Sequence, residues 1–186
     1  DYFTDNAIAA IEANKNRPFF MYLAYNAPHT PLQATKGDYD ALPQIKDHTQ
    51  RVYGAMIRQL DRRIGDVLQK LKDTRLDQNT LVIFTSDNGP WFEGSSEGLR
   101  GRKGMPFEGG QRVPMIASWP GRVPAGKTVE NPAMNIDVFP TVLALAGLAL
   151  PSDRVIDGRD FWSVMPNDDA ADPHDALLFF HDKVID

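Results

Sequence analysis

The stretch LVIFTSDNGP, residues 81–90, decides the fold. An unbroken apolar run, Leu81 to Phe84, drives into Asp87-Asn88-Gly89. A short continuous apolar run bounded by turn formers reads as a strand buried on both faces, the pattern of a sheet covered by helices. The strand then ends on a carboxylate and a carboxamide side by side. Asp-Asn-Gly is ordinary turn chemistry. It also aims two hard oxygen donors at one point, which suits Ca²⁺ or Mg²⁺ better than Zn²⁺. The residues alone leave both readings open.

Working outward, the same alternation of elements recurs. Upstream, DHTQRVYGAMIRQLDRRIGDVLQKLKD (47–73) places Val52, Met56, Ile57, Leu60, Ile64, Val67, Leu68 and Leu71 on one stripe, with charged residues opposite. That is an amphipathic helix. YFTDNAIAAIEAN (2–14) predicts a shorter helix, with Thr4 or Asp5 as its cap. Phe19 to Tyr25 is a second apolar run bounded by prolines, again predicted as a strand buried on both faces, ending in the loop NAPHTPLQ. Downstream, residues 89–110 are glycine-rich with little periodicity, a long loop of the kind that carries function. RVPMIASWP (112–120) predicts a third strand. NIDVFPTVLALAG (135–147) predicts a helix that holds Pro140 in its first turn and stops at Gly147. Strands alternating with helices predict an α/β fold, a mainly parallel sheet with helices on both faces. PNDDAADPHD (166–175) reads as a polar linker, and ALLFFHD begins a new element.

In such folds ligands collect beyond the carboxyl ends of the strands. His29 follows the first strand and Asp87-Asn88 the second. Lys103, flanked by glycines in RGRKGMPFEGG, sits on the long loop, where a tight backbone could project its ammonium toward an anion. His29 can act as acid or base near neutral pH. Each also has a plain reading: a solvated loop histidine and a solvated loop charge. Arg112 reads equally as a residue paired to a carboxylate. His48 and His174 read as exposed, and His181 as structural. A cation site, a histidine and a lysine at neighbouring strand ends would suit an oxyanion ester.

Composition limits the alternatives. The chain has 186 residues, enough for one domain with a sizeable core. A net charge of −5, with both signs interspersed, is no footprint for nucleic acid. No apolar run reaches membrane-spanning length. There is no cysteine, hence no disulfide, thiolate metal site or cysteine nucleophile within these residues.

Six blocks follow one another in order: PFFMYLAYNAPHTPLQ, YGAMIRQLDRRIGDVLQKL, TLVIFTSDNGP, GRKGMPFEGGQRVPMIASWPGRVPAG, IDVFPTVLALAGLALP and IDGRDF. Together they resemble the sulfatase family, of the arylsulfatase A and N-acetylgalactosamine-6-sulfatase type. The resemblance implies an alkaline-phosphatase-like α/β fold, here a partial domain. It implies cleavage of sulfate monoesters, aryl sulfates or sulfated sugars, at a Ca²⁺ ion. By the same resemblance Asp87 and Asn88 are metal ligands, Lys103 bonds the sulfate, and His29 stands near the leaving-group oxygen. The family's formylglycine nucleophile arises from a Cys- or Ser-x-Pro-x-Arg motif that these residues lack, as they lack the further Asp-Asp ligand pair that the family carries near its N-terminus. Residues 1–165 therefore match the C-terminal part of the catalytic domain, 166–176 a linker, and 177–186 the start of a small C-terminal subdomain. The chain alone is expected to be inactive. The family also implies an exported protein, periplasmic, secreted or lysosomal. A phosphoester or phosphonate hydrolase of the same superfamily, and a non-catalytic domain binding a sulfated glycan or a protein, are the competing expectations.

Overall fold

The computed structural model describes residues 1–167 and 169–179. His181 and most of the predicted C-terminal element lie outside the described residues. The chain divides into two compact units, Asp1–Thr80 with Pro90–Gly98, and Leu81–Gly89 with Leu99 onward.

The first unit is helical. Helices α1 (Tyr2–Asn14), α2 (Lys36–Asp40) and α3 (His48–Asp73) form where the periodicity predicts the two long ones. Asp47 caps α3, its side chain accepting from the Gln50 amide. The helix ends with Arg75 N–H bonding Lys72 O at 2.9 Å and Leu76 N–H bonding Leu71 O at 2.8 Å. This paired closure puts Arg75 in the left-handed region, at φ 60°. Helices α1 and α3 bury Ala7 and Ile11 with Ala55, Met56 and Leu71. Charged pairs border this seam: Lys70 meets Glu12 at 2.5 Å, and Arg63 meets Asp5 and Asp66. The ammonium groups of Lys15 and Lys70 hold the Glu12 carboxyl down to about 2. Helix α2 docks on α3 through Asp38, whose buried carboxylate takes two bonds from Arg62 at 2.7 and 3.0 Å. The Thr35 hydroxyl adds a third at 2.8 Å.

Two expectations change here. Thr4 is no cap: α1 starts after Asp1 without a side-chain cap bond, and Thr4 lies inside the helix, fully buried against the Tyr25 hydroxyl at 2.8 Å. The run Phe19–Tyr25 forms no strand and joins no ladder among the described residues. Its side chains alternate. Phe19, Met21, Leu23 and Tyr25 are half-buried, whereas Phe20 is 68% and Tyr22 84% exposed. The run is covered on one face only, because no described element lies over Phe20 and Tyr22.

The second unit holds the sheet. Strand β1 (Val82–Thr85) pairs with β2 (Met115–Ser118), from Val82 opposite Ser118 to Thr85 opposite Met115. This ladder is antiparallel, so the parallel pairing expected from apolar runs is not what joins these two strands. Phe161, Val164 and Met165 form the buried cluster, with Leu81, Ile83, Met115 and Ala117 packed against it. Between the strands lies the long loop with its short helix α4 (Glu108–Gln111). A 3₁₀ turn, Asn135–Asp137, leads into α5 (Val138–Leu145), with Pro140 in the first turn where no amide is needed. The helix closes at Gly147 as predicted, with Gly147 N–H on Ala144 O and Leu148 N–H on Leu143 O.

Candidate active site

Strand β1 delivers Asp87 and Asn88 to a turn just past its carboxyl end. Asp87 is exposed and Asn88 half-buried, and the Asn88 amide donates to the Asp87 carboxylate. The Ser86 hydroxyl closes the turn from inside, donating to Asn88 O at 3.2 Å. From outside, the Asn135 amide donates to Ser86 O at 2.9 Å, and the Thr85 hydroxyl reaches Asn135 Oδ1 at 3.4 Å.

The glycine-rich loop stacks on this turn through its backbone. Gly89 N–H bonds Gly110 O at 2.9 Å, and Gly109 N–H bonds Arg100 O at 2.8 Å. The approach is too close for any side chain. A Cβ on Gly89 would lie 2.0 Å from Gly109 O, and within the loop a Cβ on Gly109 would lie 2.3 Å from Gly101 O and 2.8 Å from both Arg100 O and Leu99 O. Lys103 sits in the tight turn 102–105, closed by Met105 N–H on Arg102 O at 2.9 Å, and is half-buried. Gly104 beside it adopts φ +80°, which a larger residue would resist. The structure thus brings the loop carrying Lys103 onto the Asp87-Asn88 turn within one unit. Arg112 pairs with Glu108 at 3.7 Å, one turn back along the chain, in agreement with its plain reading.

His29 belongs to the other unit. Its exposed ring is oriented locally: Nδ1 lies 2.8 Å from Thr30 O, and its own amide bonds Asn26 O at 2.9 Å. A carbonyl only accepts, so Nδ1 carries a proton and Nε2 is the nitrogen left for chemistry.

Asp87 and Asn88 have the donor chemistry of a hard-cation site. Two oxygens, however, are a fraction of the roughly 6–8 that Ca²⁺ takes. Among the described residues no three His, Cys, Asp or Glu side chains converge into a metal cluster.

His48 is exposed, as expected, and its ring meets the Tyr39 hydroxyl at 3.0 Å. His174 is not exposed. Its side chain is only 10% accessible, with Nε2 2.7 Å from Asp137 Oδ1. Asp137 is fully buried and also accepts from the amides of Met134 at 2.6 Å and Arg159 at 2.7 Å. The sequence reading gives neither this network nor Asn135 a role. A lone aspartate inside an otherwise apolar helix start was the available signal.

The sulfatase family model matches residues 1–148, and the chain belongs to that family. It is 44% identical over 156 residues to N-acetylgalactosamine-6-sulfatase of Canis lupus familiaris, covering 80% of this chain and 28% of the relative. It is 36% identical over 187 residues to steryl-sulfatase of Homo sapiens, covering 95% of this chain and 31% of the relative. Among solved structures, Ps i-CgsB in complex with k-i-k-neocarrahexaose superposes with a TM-score of 0.89 at 38% identity, covering 94% of this chain and 39% of that one. The PsFucS1 sulfatase from Pseudoalteromonas sp. superposes with a TM-score of 0.81 at 30% identity, covering 92% and 35%. The fold is therefore alkaline-phosphatase-like α/β, present as a partial domain. The chain spans about a third of the length of these relatives. Among the described residues no helix is long and apolar enough to cross a membrane.

Proposed function

We propose that the protein carrying this chain is a sulfuric ester hydrolase acting on sulfate monoesters, aryl sulfates or sulfated sugars. The carrying observation is the stacking of the Lys103 loop on the Asp87-Asn88 turn, in a chain of the sulfatase family. The name of the N-acetylgalactosamine-6-sulfatase relative and the oligosaccharide in the Ps i-CgsB complex favour a sulfated sugar.

In this proposal Asp87 and Asn88 hold Ca²⁺, which supplies positive charge to the sulfate oxygens. Lys103 adds a fixed ammonium to the same oxygens. His29, with Nδ1–H held by Thr30 O, acts as imidazolium, whose Nε2–H passes its proton to the leaving oxygen as the S–O bond breaks and leaves His29 neutral. The nucleophile, of the formylglycine type, is supplied by residues outside these 186, which contain no cysteine. The present chain is then the C-terminal part of a catalytic domain and has no turnover alone. Export to a periplasmic, secreted or lysosomal compartment completes the proposal.

The test is the full-length gene product, assayed with matched aryl sulfate and aryl phosphate. Lys103→Ala should lower kcat/KM for every sulfate by about 10²–10³, the usual cost of one charge-stabilising donor. His29→Ala should hurt most for esters of poorly acidic alcohols. Equal slowing of activated and unactivated sulfates would remove His29 from the leaving group. Preference for the phosphate would favour a phosphoester hydrolase, and no hydrolysis of either would favour a binding domain.

A further inference from the structure

We propose that Asn135 is a positioning residue for the cation site, fixing the direction in which Asp87 and Asn88 point. The inference rests on the reading of that pair as metal ligands. After Thr85 the ladder with β2 ends, so Ser86 O has no strand partner. That carbonyl immediately precedes Asp87 and sets the orientation of the peptide leading into it. Asn135 takes it at 2.9 Å, and the Thr85 hydroxyl, with one proton to give, lies 3.3 Å from the same Ser86 O and 3.4 Å from Asn135 Oδ1, bracing both.

Asn135 is itself held firmly. It opens the 3₁₀ turn whose last residue, Asp137, is fully buried and collects Met134 N–H, Arg159 N–H and His174 Nε2. Thr141 extends the brace, donating to Asp137 O at 2.8 Å and accepting from Phe161 N–H at 3.0 Å. A rigid polar cluster thus presents one amide to the turn that carries both ligands. The Asn135 carboxamide bonds Ser86 O and the Thr85 hydroxyl rather than either ligand side chain. Its effect is on preorganisation: without it the turn samples more orientations, and cation binding must select one.

The experiment titrates CaCl₂ by calorimetry into metal-free full-length protein and records melting in EDTA. Asn135→Ala should weaken the Ca²⁺ Kd by about three- to tenfold, the range one net hydrogen bond supports, with water competing at this exposed side chain. Thr85→Val should weaken it in the same direction by less, and it stands in should Asn135→Ala fail to fold. Asn131→Ala is the control. It breaks bonds to Ala170 O and the Asp172 carboxylate, in the same unit but away from the turn, and should leave Kd unchanged. If Asp87→Ala abolishes binding while Asn135→Ala and Thr85→Val bind as wild type does, the positioning role is refuted and the ligand pair stands. If the wild type binds no Ca²⁺, the ligand reading fails and the inference with it.

Discussion

Gly109→Ala should cost more stability than any other single methyl added to a glycine of the long loop whose surroundings are open. The added Cβ would lie 2.3 Å from Gly101 O and 2.8 Å from Arg100 O and Leu99 O. All three neighbours are backbone oxygens, so no side chain can swing aside. The segment 99–101 must move, and with it goes the bond from Gly109 N–H to Arg100 O. Overpacking of this kind costs about 1–3 kcal/mol, and the lost hydrogen bond about 0.5–1.5 kcal/mol. The sum, about 1.5–4.5 kcal/mol, corresponds to a fall in Tm of roughly 3–18 °C for a domain of this size. Gly37→Ala is the reference, because nothing lies within 4 Å of its added Cβ and it sits in helix α2. That change should be neutral or stabilising by up to about 1 kcal/mol. Thermal melts of both variants make the comparison. Amide exchange at Gly89, whose N–H bonds Gly110 O, localises the effect to the stacked turn. A Gly109→Ala protein that melts with the wild type, with Gly89 still protected, would refute the close packing of Gly109 on segment 99–101 within the loop that carries Lys103.

Two further outcomes follow from the first unit. The Asp38 carboxyl is held at about 2 chiefly by its bonds from Arg62, so it is depressed in the folded state. Its contribution is therefore complete above the ordinary carboxylate range near 4 and is lost as pH falls toward 2. Solvent reaches the half-exposed guanidinium groups, so that contribution is about 1–2 kcal/mol rather than the full linkage value. Asp38→Asn should be less stable at pH 7 and show a flatter stability profile between pH 4 and pH 2 in urea titrations; an unchanged profile would count against the pairing. Arg75 adopts φ 60° at the end of α3. Arg75→Gly should raise stability by about 0.5–1 kcal/mol, read as a higher denaturation midpoint, because glycine meets no steric penalty there. A lower midpoint would show that the Arg75 side chain contributes more than its backbone costs.

What the sequence disclosed follows from the range over which each signal acts. Helix α3 was legible because one period repeats over 26 residues and its cap and stripe are local. The turn at Asp87-Asn88 was legible because a strand and its turn lie within ten residues. The direction of pairing between β1 and β2 was not, since an apolar run carries no sign for its partner. Nor could the run Phe19–Tyr25 declare how many faces are covered; Phe20 and Tyr22 look as apolar as Leu23 but lie open.

The polar interior was the least legible part, and Asp137 shows why. A carboxylate with no exposure must find donors or suffer a large desolvation penalty. It finds Met134 three residues back, Arg159 22 residues ahead and His174 37 residues ahead. Nothing in the composition of PNDDAADPHD distinguishes a histidine that returns to a buried acid from one left in solvent. Among the three donors, His174 ties its segment to Asp137. That segment is anchored twice, through His174 and through Asn131 on Ala170 O and Asp172. The His174 bond, made to Asp137, also braces the 3₁₀ turn from which Asn135 reaches Ser86 O. The orientation of a candidate metal turn after β1 is thereby tied to His174, far along the chain.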